Sequence, residues 1–177
     1  DSNKINAIAV KNWEELLQSE LSYLSVLSTI SEDALASCFV NRIRDIVPSI
    51  RSESIISLTK WIKLLPSEYY QSSYFKYYSW LLRDNDINVK AIVFKCLTEI
   101  SEFVLNNKSN KKKPKTNILI TPFHNFVNEN LSFVLSSVYY ENDLEIKIDT
   151  LQFVYSIIDT KWVSSDDLLS ICSMMFN

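Results

Sequence analysis

Glycine is absent from this 177-residue sequence. Hairpin turns of the favoured types, and the loops that hold phosphates in Walker and Rossmann folds, need residues with positive φ, which glycine adopts without steric cost. Its absence therefore argues against β-rich folds and nucleotide-binding α/β folds. We expect an all-α chain.

Residues for metal, disulfide or acid–base chemistry are scarce. His124 is the one histidine, and no cysteine or second histidine lies at metal-ligand spacing from it. The sequence has three cysteines, an odd number, and they are widely spaced, at Cys38, Cys96 and Cys172. This pattern favours buried free thiols in an intracellular protein. We expect no metal, no cofactor, no small-molecule substrate and no enzymatic activity.

Long apolar runs are missing as well. No run approaches the roughly 20 residues of a membrane span, and the first residues have no secretory pattern. We therefore expect no membrane partner. The net charge of −3 argues against phosphate binding by the chain as a whole.

A seven-residue pattern occurs three times: DIVPSIR at 45–51, DNDINVK at 84–90 and ENDLEIK at 141–147. Each copy, here called the first, second and third corner, begins with an acid and ends with a branched apolar residue and a base. Apolar residues spaced by three or four precede and follow every corner, which predicts a helix on both sides. The stripe after the corners contains Ile55, Leu58 and Trp61, then Phe94, Leu97 and Ile100, then Leu151, Val154 and Ile157.

The corners give the length of the repeating unit. Arg51 and Lys90 are 39 residues apart, close to the roughly 40 to 47 residues of HEAT or armadillo units. Lys90 and Lys147 are 57 apart, and the low-complexity run at 106–116 accounts for the excess as a basic loop. We predict one HEAT-repeat-type α-solenoid segment over 1–177, with about three antiparallel helix pairs.

The predicted pairs are helices near 33–46 and 49–64, 70–83 and 87–106, and 117–139 and 143–160. One or two helices are expected within 5–29, and a final one from about 165. The base of one corner can pair with an acid of a neighbouring repeat. No polar capping repeat is evident, so we expect the segment to belong to a larger subunit.

A more specific pattern covers residues 39–90. FVNRIRD at 39–45, IR at 50–51, WI at 61–62 and SYFKYYSW at 73–80 precede the second corner in a characteristic order and spacing. The sequence resembles the stromalin conservative domain of the SA family, the HEAT-repeat subunit of cohesin. The resemblance implies a non-enzymatic nuclear, chromosomal scaffold that acts in sister chromatid cohesion, docked on the kleisin subunit and recruiting regulators.

The resemblance also implies an aromatic pocket for regulator peptides with an aromatic-x-Phe motif. Its residues here would be Ser73, Lys76, Tyr77 and Trp80, completed by Phe126 or, as a second choice, Phe123. Ser72 and Ser79 depart from the usual Asp and Gly of the family motif, which puts the local packing and charge-dependent contacts in question.

The repeat itself singles out Trp80, because Asn41 and Ser137 occupy the matching positions of the other units. An indole where stacking requires none suggests a recognition residue. The alternative is that Trp80 fills a gap against a neighbouring helix.

Basic residues offer a second function, DNA-backbone binding. Arg42, Arg44 and Arg51 surround the first corner, and Lys111, Lys112 and Lys113 lie in the insert. Alternatives for the insert are a solvated loop or a nuclear-import signal. A general HEAT adaptor, such as a transport receptor or a condensin-type subunit, is the remaining alternative for the chain.

We predict that residues 108–115 are dispensable for folding. Their deletion should change the free energy of unfolding by less than about 1 kcal/mol, because loop-closure entropy varies slowly with length. Urea denaturation of the deletion variant measures this, and a loss of several kcal/mol would show that the insert packs.

Overall fold

The computed structural model describes residues 2–109 and 121–159, together with Leu169 and Ser173. The chain separates into two compact units, residues 1–44 and 45–177. Helices and their connections account for the described residues, and none of these residues forms a strand. The all-α prediction is confirmed.

The first unit is one uninterrupted helical segment. Helix α1 spans Ser2–Ala34, a π-helical turn follows at Leu35–Phe39, and α2 spans Val40–Arg42. The predicted break between residues 29 and 33 is wrong, because no glycine or proline occurs before Pro48 to stop the helix. Cys38 is exposed, so its expected burial is also wrong.

The second unit contains the helices that flank the second and third corners, and the non-helical corner residues confirm these two turns. The predicted final helix lies almost entirely outside the described residues. Short α4 was not predicted. The helices are α3 (Pro48–Leu64), α4 (Pro66–Tyr69), α5 (Ser72–Leu81), α6 (Ile87–Ser109), α7 (Thr121–Tyr140) and α8 (Leu144–Asp159).

Prolines and aspartates set the helix ends. Pro48 is the first residue of α3, where its missing N–H costs nothing. Leu65 precedes Pro66 and has φ −128° and ψ 63°, because a following proline disfavours the helical conformation. Asp86 and Asp143 cap α6 and α8: each Oδ1 accepts hydrogen bonds of 2.9 to 3.2 Å from two backbone amides.

Two rows of helices form the second unit. Helix α6 packs between α3 and α8, while α5 packs against α7. The predicted stripe supplies the core of the row formed by α3, α6 and α8, where Leu58, Leu97 and Ile157 are fully buried. Leu151 departs from the prediction, since 39% of it is exposed. The stripe therefore becomes core only where another helix covers it.

The corners are linked by ion pairs. Arg51 donates from Nε and Nη2 to the two carboxylate oxygens of Asp84, both at 2.7 Å. The remaining Nη1 donates to the carbonyls of Asp45 and Ile46. One corner later, Lys90 Nζ lies 3.2 Å from a carboxylate oxygen of the third-corner acid. The base of one corner thus binds the acid of the next, which confirms the predicted pairing.

Burial and charge act in opposite directions on Asp84. Burial disfavours its carboxylate, but the hydrogen bonds from Arg51 and from the backbone amide of Asp86 outweigh that effect and lower the pKa of Asp84. The pKa of Arg51 is raised, chiefly by its hydrogen bond with Asp84. Both shifts favour the charged pair in the folded state.

Replacing Asp84 should reveal this pair as a pH-dependent source of stability. Because the folded-state pKa is depressed, the contribution is present above the unfolded pKa of about 3.9 and is lost as the pH falls through the folded value. Asp84→Asn should lower the free energy of unfolding at pH 7 by about 2 to 3 kcal/mol. The loss should shrink toward pH 2.

The matched control is Asp143→Asn, which makes the same chemical change at a capping position that asparagine also fills well. Urea denaturation between pH 7 and pH 2 compares the variants. Equal curves for the two variants would mean that the Arg51–Asp84 pair contributes nothing measurable.

Candidate functional site

Helix α5 concentrates aromatic side chains on several faces. Phe75, Tyr77 and Tyr78 are buried, whereas 43% of Trp80 is exposed. Because these side chains are packed inside the protein, the ten-residue helix has little freedom to move. Trp80 is the large apolar side chain that α5 presents to solvent.

Phe75 is the centre of the packing between α5 and α7. Its ring centroid lies 5.4 Å from that of Tyr70, and 5.5 Å from those of both Phe123 and Phe126. No role for Phe75 was predicted from the sequence. Its position three residues before Tyr78, on the same helical face, is the signal that would have identified it.

Phe123 and Phe126 face this cluster. Their rings stack at 5.9 Å, and their exposures are 0% and 3%. Phe126 also meets Tyr78, at 6.3 Å. The structure therefore places both phenylalanines in the buried interface between α5 and α7.

The surface itself is formed by Lys76, Tyr77 and Trp80. The rings of Tyr77 and Trp80 meet edge to face, with centroids 5.3 Å apart. The ammonium of Lys76 lies 5.0 Å from the Tyr77 centroid and 5.9 Å from the Trp80 centroid, within the range of cation–π attraction. Tyr77 is only 5% exposed, so Lys76 and Trp80 supply the accessible part of this surface. Ser73 is exposed one helical turn earlier.

A polar network fixes the last turn of α5 to α7. Asn130 Nδ2 donates to Ser79 Oγ at 3.0 Å and to the carbonyl of Phe126 at 2.9 Å. Arg83 donates to Asn130 Oδ1 and to the carbonyl of Ser79, and its guanidinium covers the Phe133 ring at 4.4 Å. Ser79 therefore has a packing partner, which sequence reasoning did not identify.

The predicted DNA-binding residues fall into three environments. Arg42 and Arg44 are exposed at the end of the first unit. Arg51 is held by Asp84 and two backbone carbonyls, so its donors serve the fold. Lys111, Lys112 and Lys113 lie outside the described residues. The predicted loop began at residue 106, which is wrong for residues 106–109, because these belong to α6.

His124 is partly buried on α7, and its ring nitrogens lie 3.4 to 3.5 Å from the Asn128 amide nitrogen. Across the described residues, no three His, Cys, Asp or Glu side chains cluster as a metal site would require. In the same part of the chain, no helix is both long and apolar enough to cross a bilayer.

Sequence comparison gives a consistent set of similarities. Residues 44–114 match the family model of the stromalin conservative domain. Over 152 residues the chain is 28% identical to cohesin subunit SCC3 of Saccharomyces cerevisiae. The aligned region makes up 86% of this chain and 12% of that protein. Over 79 residues it is 33% identical to sister-chromatid cohesion protein 3 of Arabidopsis thaliana, covering 45% of this chain and 7% of that protein.

Structure comparison gives the same fold. Cohesin subunit Scc3 from Z. rouxii superposes with a TM-score of 0.79 at 24% identity, over 96% of this chain and 17% of that chain. The chain thus spans about one eighth of the length of the yeast relative it matches.

Proposed function

From the match of residues 44–114 to the stromalin conservative domain and the similarity to cohesin subunit SCC3, we propose that this chain is a non-enzymatic recognition module of a cohesin subunit, acting in sister chromatid cohesion. Its place of action is the nucleus, on chromosomes, as part of a subunit docked on the kleisin. Within the described residues, the exposed aromatic surface of α5 is the feature best suited to recognition.

The observation that carries the peptide-binding proposal is the exposure of Trp80 on a helix whose other aromatic side chains, Phe75, Tyr77 and Tyr78, are buried. An indole can bury on the order of 150 to 250 Å² against a partner, and tryptophan is among the residues that most often dominate interface energies. Because Phe75, Phe123 and Phe126 hold α5 in place, little conformational entropy is lost when a peptide binds.

The partner we propose is a short peptide with an aromatic-x-Phe motif. Residues two apart in an extended segment project to the same side, about 7 Å from each other. One ring would pack on Trp80 and the other beside the small accessible part of Tyr77, toward Ser73. Lys76 would meet an acidic or phosphorylated flank, since its ammonium already lies beside both rings.

Truncation of Trp80 tests this proposal. Trp80→Ala should weaken the affinity for an aromatic-x-Phe peptide at least about tenfold, because the anchor area is lost. Isothermal titration calorimetry measures the affinity. Stability should fall much less than in Leu97→Ala, where a fully buried side chain is removed at a cost of about 2 to 5 kcal/mol.

The same titrations separate a recognition residue from a core residue. Lys76→Glu should weaken binding of a peptide with an acidic flank more than that of a neutral-flanked peptide. If Trp80→Ala destabilises the fold as much as Leu97→Ala and the folded fraction binds with unchanged affinity, then Trp80 serves packing and the proposed site does not exist.

A second candidate function, weak binding to the DNA backbone, is favoured by the exposure of Arg42 and Arg44. Arginines on a surface form charge-assisted bonds to phosphate. Lys111, Lys112 and Lys113 are the further contacts that we propose from sequence. Arg51 is left out of this proposal, because its donors are engaged by Asp84 and by the carbonyls of Asp45 and Ile46.

Binding of duplex DNA should be independent of sequence and fall steeply with salt. Each phosphate contact contributes about 0.9 to the slope of log affinity against log salt, so Arg42→Glu or Arg44→Glu should flatten it. The control is Lys60→Glu, which makes the same charge change at an exposed position of α3. Fluorescence anisotropy at several salt concentrations measures the slope, and salt-insensitive binding would remove DNA as a ligand.

A further inference from the structure

Helix α5 is followed by an exposed arginine, Arg83. The backbone amide of Arg83 donates to the carbonyl of Trp80 at 3.1 Å. A hydrogen bond to the third residue before it is typical of a 3₁₀ turn, in which side chains three residues apart eclipse each other. Arg83 therefore lies on the same side of the chain as Trp80, one turn nearer the second corner.

Two cations flank the exposed tryptophan on this side. Lys76, Trp80 and Arg83 follow at intervals of four and three residues, and each of them is exposed. At about 1.5 Å of rise per residue, the backbone positions of Lys76 and Arg83 are about 10 Å apart along the axis, with Trp80 between them. A partner that packs on the indole thus meets a positive charge in both directions along the helix.

The guanidinium of Arg83 is held in place by α7. Its Nη1 donates to the carbonyl of Ser79 at 2.8 Å and to Oδ1 of Asn130 at 3.2 Å. Asn130 is only 4% exposed, and its own amide nitrogen donates to Ser79 Oγ. The guanidinium carbon lies 4.4 Å from the centroid of the Phe133 ring, which it covers. A buried amide and an aromatic ring therefore fix the orientation of the guanidinium.

The remaining edge of this guanidinium can bind an anion. Among the residues that the structure describes, Nε and Nη2 of Arg83 have no hydrogen-bond acceptor, and no carboxylate forms an ion pair with Arg83. The same two atoms of Arg51 bind both carboxylate oxygens of Asp84 at 2.7 Å. Such paired bonds are the strong, geometrically specific way in which arginine binds a carboxylate. Because the fork is already oriented, little side-chain entropy is lost on binding.

We propose that Arg83 is a specificity-determining residue of the peptide site. It binds a carboxylate of the peptide on the far side of the ring that packs on Trp80, opposite to the flank that Lys76 meets. This inference rests on the peptide binding proposed for Trp80. It narrows the partner to a peptide with an aspartate or glutamate on each side of its aromatic-x-Phe motif.

Three synthetic peptides test this inference by isothermal titration calorimetry. All contain the same aromatic-x-Phe motif; one has neutral flanks, one has an acid before the motif, and one has an acid after it. Arg83→Gln should weaken the binding of one acidic peptide about fivefold, the effect expected of an ion pair near the surface. Lys76→Gln should weaken the binding of the other acidic peptide.

The matched control at the same position is Arg83→Lys. This variant keeps the positive charge but lacks the paired donors, so it should retain only part of the affinity that Arg83→Gln loses. The affinity for the neutral peptide should be unchanged in both Arg83 variants, and thermal unfolding should show that both are folded. An equal loss of affinity for all three peptides would mean that Arg83 acts through its packing on α7, and would overturn the proposal.

The neutral peptide separates this inference from the peptide-binding function itself. If it binds and requires Trp80, but neither acidic peptide responds to Arg83→Gln, then Arg83 has no role in specificity and the peptide site stands. If one acidic peptide responds to both Arg83→Gln and Lys76→Gln while the other responds to neither, the two cations bind the same flank, which also overturns the proposal. If none of the three peptides binds, the peptide-binding function fails and the role of Arg83 fails with it.

Discussion

The bidentate ion pair between Arg51 and Asp84 connects the first and second corners, and the helices on both sides of the second corner depend on it. It anchors the second corner to the first, with three guanidinium nitrogens engaged at once. The second corner in turn ends α5 and begins α6, so the direction of both helices depends on where Asp84 is held. Trp80 lies one helical turn before Asp84, and its position at the surface follows from the same anchor.

The second and third corners each use two acids for two different purposes. The first acid, Asp84 or Glu141, receives a base from the preceding corner, while Asp86 and Asp143 cap the helices that follow. Capping fixes where a helix begins, and the ion pair fixes its distance from the neighbouring unit. The two requirements occur together at the second and third corners, which explains why the chain repeats the pattern there.

The aromatic residues of α5 are divided in a comparable way. Phe75 and Tyr78 bind α7 through Phe126, and the Ser79–Asn130 hydrogen bond holds the last turn. Trp80 is thus exposed on a helix that is fixed on its other sides. A surface arranged before binding suits recognition of a short peptide, because the receptor has little to reorganise.

Helical periodicity and corner chemistry determined much from the sequence alone: the all-α fold, the second and third corners, and the bounds of α3 and of α5 to α8 within a few residues. These features depend on neighbours along the chain. Tertiary structure decided the rest. It buried Tyr77, gave Phe75 its central place, committed Arg51 to Asp84 and left Leu151 exposed, because each of these outcomes depends on which distant helix packs against the residue.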